Sequence, residues 1–285
     1  MDDVSHVRLH RPTARGLSRS SFLRAVRVRA AVCWCVLLAA LVMPSLGPVM
    51  AQLAVGLDFD AVSYVQFERV PAKVHIKNNT SEIFVLGGRG KTLVLDFEIY
   101  DVQKTRCERT TRGGMVKDVV LMPGETTKVE VDLGMHFGLQ RLGQYSVRGR
   151  VVEGNKAYPS MLREIDVVPG IEIDTIERSV PGESSNVRVY SLRYWERDSQ
   201  EHLFLRVTDR DATVCYGVFS LGKVIRFSVP TLSVDVDGNI TVGHQVERDV
   251  FVRSRFRSVA NGVEFVDRET KTLSDTLTDE IKRSD

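Results

Sequence analysis

Two rows of side chains in this sequence have the types and spacing to do chemistry. Tyr190, Leu192 and Tyr194 share one face of an alternating stretch, with Trp195 on the other. Aromatic rings displayed in this way can stack on sugars. Arg253, Arg255 and Arg257 alternate in phase with Phe251. A row of guanidinium groups beside an aromatic ring suits an anionic polymer, such as an acidic polysaccharide, or a phosphorylated lipid headgroup. Each row also has a structural reading. The aromatics would pack into a core, and the arginines would sit on a solvated edge strand beside Glu247, Asp249, Glu264 or Glu269. Asp235-Val236-Asp237-Gly238-Asn239 has the composition of a calcium loop, but Ser233 stands where the first acid is needed and His244 where the closing glutamate is needed. An Asp-Gly hairpin turn accounts for the same residues.

The spacing nominates no catalytic group. His75, His136, His202 and His244 fall in no HxH or HExxH pattern, and no serine sits in a Gly-x-Ser-x-Gly elbow. Asp209 and Asp211 flank Arg210 in a turn-like segment and read as surface acids. The Gly87–Gly90 run lacks the Gly-Lys-Ser/Thr of a phosphate loop and leads into a strand. The expectation is a protein that is not an enzyme and uses no cofactor or metal.

The elements that would position these residues are strands. Leu93, Leu95, Phe97 and Ile99 alternate with Val94, Asp96, Glu98 and Tyr100; Val129, Val131 and Leu133 alternate with Lys128, Glu130 and Asp132; Tyr145, Val147 and Val151 repeat the pattern. Turn signals separate them at Asn78-Asn79, Gly87-Gly88, Gly113-Gly114, Pro123-Gly124 and Gly154-Asn155. Sequon matches at Asn78, Asn79 and Asn239 read as turn residues. The fold class is therefore all-β, with a sandwich over 52–170, a linker over 171–186 and a second antiparallel β domain over 187–270. Residues 271–285, with Leu273, Leu277 and Ile281 four apart, are expected to form a short helix or a disordered tail.

The first sandwich resembles bacterial extracytoplasmic immunoglobulin-like domains, including the BsuPI type. The resemblance rests on Val74-His75-Ile76-Lys77-Asn78-Asn79-Thr80, Leu95–Asp101, Leu121-Met122-Pro123-Gly124-Glu125-Thr126 and Leu142-Gly143-Gln144-Tyr145-Ser146-Val147. It implies an immunoglobulin-like fold; protease inhibition, associated with one branch, would come over on fold alone. An inhibitor would need an exposed, rigid loop, for which Gly87–Lys91 and Thr105–Gly114 are the candidates. In the second half, Leu203–Val207 lies 37 residues before Ile240–His244, and Phe219 lies 37 before Phe256. That spacing is similar to a β-propeller blade repeat, but two units cannot close a ring, so a compact sandwich of propeller-like hairpins is expected.

Charge and the N-terminal residues bear on location. Seven of the 39 basic residues, all arginine, precede residue 52; the remainder carries 32 basic against 35 acidic side chains. No concentrated excess of cations is left to read nucleic acid. Those arginines lead into an apolar run over Ala30–Met43 and then Val49-Met50-Ala51, the order of a signal peptide over residues 1–51, cleaved between Ala51 and Gln52. The apolar run is shorter than a membrane span. The expected product is periplasmic or secreted, has no transmembrane segment after cleavage, and keeps two thiols, Cys107 and Cys215, that pair or remain free. The functional expectation is a binding, adhesion or assembly protein of the cell envelope whose partner is an envelope protein or polysaccharide. A carbohydrate-binding module, a protease inhibitor and an enzyme with an unrecognised site stand as alternatives.

Overall fold

The structure is a computed structural model that describes residues 52–273 apart from Arg89 and Gly182. The expected signal peptide, with Ala51 of its expected cleavage site, and nearly all of the tail lie outside the described residues. The chain is mostly β, in several antiparallel sheets, one of them curled, with one short helix among the described residues.

The alternation in the first half becomes a two-sheet sandwich. β1 (Leu53–Phe59), β3 (Pro71–Asn78) and β7 (Thr126–Asp132) make one sheet in the order β1-β3-β7. The other runs β2 (Ser63–Val65), β10 (Arg163–Val168), β8 (Gly143–Glu153), β5 (Leu93–Tyr100), β4 (Phe84–Gly87), β6 (Val119–Leu121), and β9 (Lys156–Pro159) pairs β8. Within it β2 pairs β10 and β4 pairs β5 in parallel, and the other neighbours are antiparallel. In β5 the residues expected inside, Leu93, Leu95, Phe97 and Ile99, are all buried, while Asp96 and Glu98 face outward and bond Arg150 on β8. Burial of a ring such as Phe97 stabilises the fold by roughly 2–3 kcal/mol.

Two polar residues fix the corners. Asn78 is fully buried, yet its amide donates to the carbonyls of Glu82 (2.7 Å) and Met122 (3.1 Å), and its carbonyl accepts from the Thr80 N–H (3.0 Å) and hydroxyl (2.7 Å). One side chain thus ties the end of β3 to the β6–β7 turn. Tyr145 closes the opening of β8 by donating its hydroxyl to the Arg141 carbonyl, four residues upstream, at 2.9 Å. The bond has the form of a tyrosine corner, a hydroxyl returned to the backbone just upstream.

The second half forms two four-stranded meanders. β11 (Ile171–Val180), β12 (Glu183–Arg197), β13 (Gln200–Asp209) and β14 (Cys215–Lys223) pair in sequence, as do β15 (Thr231–Val234), β16 (Asn239–Glu247), β17 (Val250–Val259) and β18 (Gly262–Thr272). Leu192, Leu203, Leu205, Leu221, Ile240, Val242 and Phe256 fill the core between them. Residues 171–186, expected as a linker, instead supply β11 and the start of β12. The 37-residue spacing aligns β13 with β16, whereas equivalent places in the two meanders belong to β13 and β17. It therefore tracked two similar strands and not the structural unit.

Candidate functional site

β5 and β6 are joined by residues 101–118, which contain no strand of their own. Connections this long inside a compact domain are uncommon and are often functional. This one is held along its length. The Asp101 carboxylate accepts from the Gln103 and Thr105 N–H groups at 2.9 and 2.8 Å, and the Cys107 N–H donates to the Ile99 carbonyl at 2.8 Å. Further on, Thr110 donates twice to the His136 carbonyl, and the Thr111 hydroxyl meets His136 Nδ1 at 2.6 Å. His136 belongs to α1 (Leu133–Phe137), a single turn capped by Asp132. Burial, then the Arg109 guanidinium, hold its pKa below the usual histidine value. The connection then crosses the Gly87-Gly88 turn so closely that a Cβ on Gly114 would stand 3.2 Å from the Gly88 Cα. Lys91 pairs with Asp118 at 2.7 Å beside this crossing.

The two loops that the sequence nominated for an exposed, rigid role are therefore in contact at one end of the first sandwich. Lys104, Arg106, Arg112 and Lys117 are exposed on the longer loop. None of them has an ion-pair partner among the described residues.

A second feature lies where the two sandwiches meet. β13 is buried on both faces. Leu203, Leu205 and Val207 enter the second core, while Phe204, Arg206 and Thr208 face the first sandwich. On β12 the matching outer face carries Ser191, Arg193, Trp195 and Arg197. Arg197 donates from Nε to the Ser63 carbonyl (2.9 Å), from Nη1 to Glu68 Oε1 (2.9 Å), and from Nη2 to Glu68 Oε2. Its guanidinium also lies over the rings of Phe204 and Tyr64. Trp195 donates its indole N–H to the Ser63 hydroxyl at 2.8 Å. Arg193 pairs with Glu172 and donates to the Pro169 carbonyl at 2.9 Å. Arg206 has only a 3.3 Å bond to Gln66, and its Nε has no partner. Burial pulls the pKa of Arg193 and Arg206 below the usual arginine value.

Beside this seam opens a cleft of about 290 Å³, lined by Arg69, Asp132, Met135 and Gln140 from the first sandwich and by Cys215 and Tyr216 from the second. Phe67, also on its wall, has a φ of 69°, in the left-handed region that favours glycine. Asp132 is fully engaged there, accepting from Arg69 Nε (2.9 Å) and from the Val70 and Gly134 N–H groups (3.1 Å each). Cys215 and Cys107 are both free thiols, and burial raises the pKa of each.

The residues singled out in the sequence are dispersed. Tyr190 is fully buried with its hydroxyl on Ser258 Oγ at 2.9 Å, so it presents no ring face to a sugar. Tyr194 is half-buried under Arg226, 4.3 Å from the ring centroid, and Trp195 is half-buried in the seam. Arg253, Arg255 and Arg257 do share an exposed face, but β17 lies between β16 and β18 and is not an edge strand. They stand opposite Glu269, Asp267 and Glu264 on β18, with Arg255 bonded to Asp267 at 2.7 Å. Phe251 is half-buried on the same strand. Asp235 spends its carboxylate on the Asp237 and Asn239 N–H groups and the Asn239 amide, and Gly238 takes a φ of 77°, as a hairpin turn requires. Gln52, the expected mature start, accepts from the Tyr158 hydroxyl at 2.6 Å. Sequence reasoning missed Arg197, Arg206 and Glu68. The available signal was the arginine parity of β12 opposite its aromatic one.

A scan against protein-family models finds no match, and a search of curated proteins finds none. Among solved structures the chain is similar to the crystal structure of Spo0M, sporulation control protein, from Bacillus subtilis, at 11% identity and a TM-score of 0.29. The likeness spans 82% of this chain and 98% of that one, and at this score it supports nothing further.

Proposed function

We propose that the chain is an exported, non-enzymatic binding or assembly component of the cell envelope, which docks a negatively charged partner through residues 101–118 and the adjoining Gly87-Gly88 turn. One observation carries this reading: a long connection without strands is tied down by hydrogen bonds along its length and presents Lys104, Arg106, Arg112 and Lys117 without an ion-pair partner among the described residues. A loop tied down in this way gives up little conformational entropy on binding, and unpaired cations along it steer an acidic surface toward it. Export rests on the arginine-led apolar segment before residue 52. We also place the first sandwich with the bacterial extracytoplasmic immunoglobulin-like domains, including the BsuPI type, on its strand order and the Tyr145 corner.

The test is capture from an envelope fraction by the full chain and by a variant with the four loop cations changed to glutamine. A component retained by the first and lost by the second supports docking; equal recovery refutes it. The same ordered loop also favours protease inhibition. Residual protease activity with excess protein decides that reading, and undiminished activity excludes it.

A further inference from the structure

The cleft at the seam is separate from the docking loop and differs from it in one electrostatic respect. Its carboxylates are already neutralised. Glu68 is held by Arg197, and Asp132 by Arg69 together with two backbone N–H groups. Glu172, the next acid along the seam, is held by Arg193. Two buried cations remain without a carboxylate among the described residues. Arg188 is fully buried behind Tyr216, a residue of the cleft wall, with its guanidinium carbon 3.9 Å from the centroid of that ring. It donates only to neutral oxygens, those of Ser258, Gly262 and Ala260, and its Nε has no partner. Arg206 is more than nine-tenths buried, and its Nε also has no partner. It lies two residues from Thr208, which pairs with Cys215 on the cleft wall, and its one side-chain partner, Gln66, donates to the carbonyl of Gln140, another wall residue.

Two buried charges without a carboxylate, each one contact removed from the wall, add a positive potential to the space in front of it. Direct donors stand at the opening. Arg69 uses only Nε on Asp132, and Gln140 is exposed. Tyr216 is the extra residue of a β-bulge, since Thr208 pairs Cys215 and Val207 pairs Gly217. Bulges of this kind re-aim a side chain beside a site.

We propose that the seam cleft binds the oxyanion of a small ligand, a carboxylate or a phosphate, with Arg69 and Tyr216 as contacts and Arg188 and Arg206 supplying the buried charge. The volume admits a small molecule and not a folded partner.

The test uses the full chain with inorganic phosphate and with succinate, against chloride at matched ionic strength, read by melting temperature and titration calorimetry. A saturable rise with phosphate alone assigns a phosphorylated ligand, with succinate alone a carboxylate, and with both a general oxyanion site; each supports the proposal. Met135→Glu adds a negative charge at an exposed position on the cleft and should weaken that binding about tenfold or more without unfolding the protein. Arg206→Gln should weaken it too where it folds. The proposal is overturned if neither oxyanion saturates beyond the chloride control, or if Met135→Glu binds as tightly as the parent.

Discussion

His244 makes the second sandwich sensitive to acid by a calculable amount. Its ring lies in the core between the two meanders, 2% exposed, with no hydrogen-bond partner on either nitrogen. Burial, and then the Arg268 guanidinium, hold its pKa down to about 4 from 6.5. The carbonyls of Leu221 and Lys223 offset part of that cost without closing a hydrogen bond to the ring. An unfolded chain takes up the proton first, so the contribution to stability is intact above about pH 6.5, is lost as the pH falls toward about 4, and is constant below. The full loss is about 3 kcal/mol, of which about 2 kcal/mol is gone by about pH 5. His136 and His202 have lowered values as well and act in the same direction, so the measurement has to be a difference. Urea denaturation of the parent and of His244→Leu, followed by circular dichroism, provides it. Leucine fills the site with no nitrogen to leave unpaired. The gap in favour of the variant should widen by about 2 kcal/mol between neutral pH and about pH 5. A gap that stays flat would refute the claim that the ring is sealed in as a neutral base.

Other perturbations test the frame. Arg197→Ala leaves Glu68 buried without a counter-charge and should cost about 3 kcal/mol, with a red shift of Trp195 emission in a Trp34→Phe background as the seam opens. An unshifted spectrum would mean that the pair does not hold the halves together. Asn78→Ala removes four bonds, three to the turn at Thr80 and Glu82 and one to Met122 in the β6–β7 turn, and should cost about 2–4 kcal/mol by chemical denaturation. Tyr145→Phe deletes only the corner hydroxyl and should cost about 1 kcal/mol, well short of unfolding.

Much of the first sandwich is legible in the sequence because one periodicity decides it. Each strand has a single buried face, so Leu95, Phe97 and Ile99 cannot be moved outward without exposing the core. Asn78 is legible as a turn residue for local reasons. The second half is harder because β12 and β13 are buried on both faces. Hydrophobicity marks only the side toward the second core, so Tyr190 and Tyr194 draw the eye while Arg193, Arg197 and Arg206 look like solvated charges. Their partners, Ser63, Gln66, Glu68 and the Pro169 carbonyl, come from distant parts of the chain, and no local pattern announces a guanidinium that will be neutralised in that way. The converse holds for Arg253, Arg255 and Arg257. They stand out in the sequence, but their register opposite Glu269, Asp267 and Glu264 is a property of the β17–β18 hairpin.

That contrast gives the most direct test of the docking claim: retention of the purified full chain on isolated envelope material across a salt series. The parent should bind at low salt and be released as salt rises. Changing Lys104, Arg106, Arg112 and Lys117 to glutamine should abolish retention, whereas changing Arg253, Arg255 and Arg257 to glutamine should leave it intact, because those charges already face acids across the hairpin. Retention that survives the loop changes, or that disappears with the β17 changes instead, would contradict the assignment of residues 101–118 as the working surface.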